Sequence, residues 1–167
     1  MKKILFAVVT VLALVVVSCG PKVNMEALKS GKAQVETTVA ELEKKWAEYG
    51  PAIEGWIKEA EAVKFDKKKE KDGKAQLEAL KAAAASYKDG AAKAVASYKE
   101  YAAKLGELEK TASEGKGDIA GIIKEVSSIS SMDSTMKAGA MQAFGGYDGL
   151  KKQAEEFLAA YKAPAKK

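Results

Sequence analysis

Of the side chains that could carry chemistry, this 167-residue sequence offers one cysteine, Cys19, and no histidine. Every one of its 28 basic residues is lysine, set against 23 acidic residues. A single thiol excludes an intrachain disulfide framework and a thiolate zinc cluster. Without imidazole there is no histidine base, no histidine-activated nucleophile and no mixed histidine–carboxylate metal site, including the Glu-x-x-His pairs of dimetal bundles. Without arginine the chain lacks the side chain best shaped for bidentate recognition of phosphate or carboxylate. Acid–base work would then fall to neighbouring carboxylates such as Glu107 and Glu109, or Glu155 and Glu156. Carboxylates do such work only in a cleft that perturbs their pKa values. These flank apolar seams beside lysines and read as solvated helix face. No nucleophile–base pair can be named, so the expectation is a non-enzymatic protein with no catalytic residue, no metal and no cofactor.

The cysteine has a more informative setting. Lys2 and Lys3 precede an apolar run from Ile4 to Val17, which ends in Ser18, Cys19 and Gly20. That order of charge, apolar stretch and small residue is the shape of a secretory signal peptide. The run would span roughly 21 Å as a helix, short of a hydrocarbon core of ~30 Å. Val16-Val17-Ser18-Cys19 resembles the lipobox of bacterial lipoproteins. The resemblance implies cleavage between Ser18 and Cys19, a diacylglyceryl group on the Cys19 thiol and, often, acylation of the new amine. Two or three acyl chains anchor a protein stably, whereas one holds it only marginally. Gly20 in place of an aspartate implies sorting to the outer membrane if the source has two membranes. Loss of Lys2 and Lys3 leaves 26 lysines against 23 acidic residues, about +3. So mild a charge, at an extracytoplasmic address, argues against a nucleic-acid partner.

From Asn24 onward the pattern is helical. Val35, Val39, Leu42, Trp46, Tyr49, Ile53, Trp56, Ala60 and Val63 alternate spacings of four and three, a heptad seam. Gly50-Pro51 lies inside it, and such a pair kinks or ends a helix. The apolar phase nevertheless continues, with Pro51 on the outer face, so the expectation is a kink, with a true break as the alternative. Phe65 to Gly73 gathers charge and reads as a hairpin loop. A second seam runs through Leu77, Leu80, Ala84, Tyr87, Ala91, Ala94, Tyr98, Tyr101, Leu105 and Leu108. After the turn from Ser113 to Asp118, with Asp118 as N-cap, a third runs through Ile119, Ile122, Val126, Ile129, Met132, Met136, Ala140, Ala143, Tyr147, Leu150, Ala154, Phe157 and Tyr161. Its steps from Val126 to Ile129 to Met132 form a local phase slip among helix-weakening serines.

These seams specify an all-α fold: an elongated up-down-up three-helix antiparallel bundle, similar in a generic way to long bundles of the spectrin-repeat type. An oligomeric coiled coil is the competing architecture to a monomer. The domain plan is a signal peptide at 1–18, a lipidated tether at 19–24, a bundle at 25–162 and a flexible basic tail at 163–167. The helices fall near 25–65, 73–113 and 118–162, the third open to a break near 127–135 or 145–146. Glu41/Lys45, Glu54/Lys58 and Glu100/Lys104 are spaced for ion pairs within a helix.

Two surfaces follow from this plan. Trp46, Tyr49, Trp56, Tyr87, Tyr98, Tyr101, Tyr147, Phe157 and Tyr161 all lie on seams opposite alanines. They read as core, with an aromatic-lined groove for a lipid or other apolar ligand as the alternative. Gly139, Gly145, Gly146 and Gly149 around Phe144 would let rings approach the backbone or mark an irregular stretch. An up-down-up chain anchored at Cys19 also sends the loop from Lys64 to Lys74, and the tail, to the far end. Lys67, Lys68, Lys69, Lys71, Lys166 and Lys167 then form a basic tip for an acidic polymer or protein. The functional expectation is a lipid-anchored spacer or interaction platform in the bacterial cell envelope.

Overall fold

The computed structural model describes residues 22–161, which form four α-helices. They are α1 (Met25–Glu61), α2 (Glu70–Ser113), α3 (Ile119–Gly145) and α4 (Tyr147–Tyr161). The described part is all-α, a helical bundle. Side-chain pairs fix the directions. As the α1 partner climbs through Lys32, Glu43, Glu54 and Glu61, the α2 partner descends through Glu109, Lys99, Lys88 and Lys81, with contacts of 2.8, 2.6, 2.7 and 3.1 Å. The same reversal relates α2 to the third segment, from Lys104–Glu125 at 3.1 Å to Tyr98–Asp133 at 3.2 Å and Tyr87–Phe144 at 3.5 Å. α1 and the third segment therefore run parallel. Gly31 faces Ile129, Tyr49 stacks on Tyr147 and Phe65 meets Tyr161. The 37 residues of α1 give a rod of about 55 Å.

Each end is made by local chemistry. The Asn24 side chain caps α1 by accepting from the Ala27 amide at 3.0 Å. α2 closes in a Schellman motif: Gly115, at φ +65°, donates to Ala112 while Lys116 donates to Thr111. Asp118 stands at the N-cap position of α3 without a side-chain capping bond.

Apolar seams bury as their spacing requires. Leu28, Val35, Ile53, Tyr98 and Leu105 are among the largest fully enclosed side chains. α1 runs unbroken through the exposed Pro51. The serines of α3 do not end it; their hydroxyls donate to the helix's own carbonyls, Ser127 to Lys124 at 2.7 Å and Ser131 to Ser128 at 2.9 Å among them. The phase slip disappears as well. Met132 stands 44% exposed, and the inward position belongs to Asp133, so the seam runs Ile129, Asp133, Met136, Ala140 in regular steps. A polar residue can take that place because the Tyr98 hydroxyl donates to its backbone carbonyl and to its carboxylate, at 3.2 and 3.3 Å.

The third segment is interrupted at Gly146, whose amide bonds only as far back as Phe144. The Tyr87 hydroxyl lies 3.5 Å from that same Phe144 carbonyl. The three helix-internal pairs read from the sequence give way at two positions to contacts between helices. Glu54 takes Lys88, and Lys104 takes Glu125, both across an interface.

Candidate functional site

The lysine-bearing loop begins where α1 stops. The Ala62 amide returns to Lys58, and Asp66 then builds the turn, its carboxylate accepting from the Lys68 amide at 3.2 Å and its carbonyl from Lys69 at 2.8 Å. Phe65 pins this loop to the bundle. Its ring stands edge-on to Phe157 and Tyr161, with centroids 6.2 and 5.5 Å away, and lies against Gly73. Lys67, Lys68 and Lys69 occupy the loop, Lys71 the first turn of α2, and all four are exposed. Lys74 is neutralised by Glu70 at 2.6 Å, whereas among the described residues Lys64, Lys67, Lys68, Lys69 and Lys71 make no ion pair. Five unpaired ammonium groups thus crowd the end of the rod at which α4 finishes with Tyr161. The opposite end carries the start of α1 and the α2–α3 turn. Ser18 and Cys19, with the rest of the lipobox, lie outside the described residues, as do Lys166 and Lys167.

Along the shaft, the aromatic side chains close on one another. Tyr49 and Tyr147 stack with centroids 3.7 Å apart and planes 12° from parallel. Trp56 leans on Tyr147 at 5.4 Å, and Tyr87 meets Phe144 edge-on at 6.4 Å. Burial, with help from Tyr49 and Tyr147, pushes the Tyr87 hydroxyl up to about 12. Burial and then Asp133 hold Tyr98 higher still, and burial is the first cause of the upward shifts at Tyr101 and Tyr147. These phenols stay protonated and act as packing with a polar tip.

A shallow groove of about 280 Å³ lies elsewhere, between α2 and α3, lined chiefly by Gly90, Ala94, Tyr98, Met136, Gly139 and Ala143. Of the rings named from the sequence, only Tyr98 borders it. Sequence reasoning missed this groove, because its signal is small residues facing each other on two helices.

Of the four carboxylates named from the sequence, Glu109, Glu155 and Glu156 pair with lysines, and Glu107 makes no ion pair among the described residues. The Lys32 ammonium holds Glu109 below the usual carboxylate range at 2.8 Å, and Lys88 does the same to Glu54. Glu155 and Glu156 pair with Lys151 and Lys152 at 4.0 and 3.7 Å. Among the described residues no group of three or more His, Cys, Asp or Glu side chains could hold a metal ion. Nor is any helix there long and apolar enough to cross a membrane. No family model, curated protein or solved structure matches the chain.

Proposed function

We propose that this chain is a lipid-anchored lipoprotein of the bacterial cell envelope, a non-enzymatic rod that carries a basic tip away from its membrane. Gly20, where an aspartate would favour inner-membrane retention, supports the outer membrane where the source has two. The observation that carries this reading is the opposition of two ends. The lipobox cysteine lies six residues before α1 begins, and the unpaired lysines gather about 55 Å away at the other end of that helix. A spacer or platform needs that separation, and an acidic polymer or protein would meet the lysines as a salt-sensitive point-charge array. Changing Cys19→Ser removes the acyl mass and releases the protein from the membrane fraction; a variant that stays bound refutes the anchor. Reversal of Lys67, Lys68, Lys69 and Lys71 to glutamate abolishes retention of acidic partners in envelope pull-downs, and unchanged partners refute the tip.

The second reading, a carrier of a lipid or other apolar ligand, draws on the α2–α3 groove rather than on the rings, which fill their own space. Native mass spectrometry of protein purified without detergent then finds a bound apolar mass, and a clean apo mass counts against carriage.

A further inference from the structure

We propose that α4 is a hinged, exchangeable segment, and that two copies of this chain pair by swapping it. The argument begins with glycines that packing does not require. A methyl group at Gly139, Gly145 or Gly149 would meet nothing within 4 Å, and at Gly146 it would rest on the Tyr87 ring at an ordinary 3.6 Å. Gly31 differs, since a methyl there would run into Ile129 at 2.6 Å. What the four glycines do supply is backbone freedom, concentrated where the helical ladder is already cut at Gly146.

The attachments of α4 differ in kind from those of the other helices. α1 and α2 are joined by four ion pairs, and α2 is tied to α3 by Lys104–Glu125 and Tyr98–Asp133. Among the described residues, the side-chain ion pairs of α4 are internal, Lys151–Glu155 and Lys152–Glu156. Its hold on the bundle is apolar, through Tyr147, Leu150, Ala154, Phe157 and Tyr161. Such contacts are non-directional and can be remade intact.

Opening at the hinge would bare two apolar faces, that of α4 and the trough on α1 and α2 that receives it. The surface shaped to refill that trough is α4 of another copy. Exchange between two copies would rebuild the apolar contacts of α4 beyond the hinge in both copies, through a two-fold arrangement. This inference is independent of the lipid anchor and of the basic tip.

The test mixes two differently tagged full-length chains, one carrying Phe65→Cys and the other Tyr161→Cys, co-expressed and treated with a short thiol–thiol cross-linker. Within one chain these rings lie 5.5 Å apart. A second mixture pairs Tyr49→Cys with Tyr147→Cys, 3.7 Å apart at the hinge end. Swapping yields a covalent heterodimer bearing both tags in each mixture. The Gly139→Ala/Gly145→Ala/Gly149→Ala background lowers its yield several-fold. A chain carrying both Phe65→Cys and Tyr161→Cys serves as the folding control, since its internal cross-link reports a docked α4. The proposal is overturned if that control cross-links only internally while the mixtures give no heterodimer. Equal yield from a mismatched pair, Phe65→Cys with Lys93→Cys, or from chains whose only cysteine is Cys19, also overturns it. Fast amide exchange across 147–161 without heterodimer means the segment opens and does not swap, and that too refutes the pairing.

Discussion

Tyr98 and Asp133 show how one polar pair can hold a seam together. Tyr98 is 1% exposed, and its hydroxyl and the Asp133 acceptors satisfy each other inside the α2–α3 interface. Tyr98→Phe keeps the ring and strands the aspartate, so it costs about 1–2 kcal/mol in chemical denaturation. A value near zero would mean that water reaches Asp133. The sequence pattern put Met132 on this seam because hydropathy alone does not reveal that a carboxylate has a buried donor waiting on another helix. Glycines raise the same difficulty. Gly31 is held small by Ile129, a neighbour almost a hundred positions away, and nothing local announces it. Gly31→Ala is expected to lose about 1–3 kcal/mol of stability by overpacking. Gly139→Ala, with open space around it, gains up to about 1 kcal/mol on the same assay.

Helices in this chain were legible wherever the apolar phase ran on, and it was the phase rather than local propensity that decided their continuity. Pro51 removes one hydrogen bond from α1, yet Gly50 and Ile53 on either side are buried and the helix passes through. Tertiary packing of the seam outweighs a local defect of about 3 kcal/mol. Pro51→Ala should therefore recover a large part of that figure as a higher Tm without altering the helical content. Unchanged stability would imply that the proline's rigid φ offsets the lost bond through the unfolded chain. At Gly146 the interruption does appear, and there the sequence offered the signal plainly as paired glycines. What it could not offer was the second donor to the Phe144 carbonyl, the Tyr87 hydroxyl, contributed by a helix running the other way.

For the molecule as a whole, three seams of matched length were enough to set the antiparallel order and to send the lysine-rich loop to one end. The groove between α2 and α3 and the closure of the rings on themselves were not legible, since both depend on register between helices. Stability at high pH tests that closure. Tyr87, Tyr98, Tyr101 and Tyr147 hold their protons more tightly folded than unfolded, chiefly through burial. Their contribution is complete below the ordinary tyrosine value of about 10 and drains away as pH rises toward 12 and beyond. Alkaline melts should show stability falling across that window, with tyrosinate absorbance appearing together with unfolding. Ionisation well ahead of unfolding would mean the rings are solvated.

The odd number of passes has a mechanical side. Because α1 and the α3–α4 segment run parallel, the start of the bundle and its last described residue lie at opposite ends. A pull applied between them acts along the helix axes and loads the seams in shear, so their contacts resist together. An even number of passes would put both points at one end, where the same tension would peel the contacts apart in succession. The fold is therefore suited to transmitting force along its length, from one end of the rod to the other.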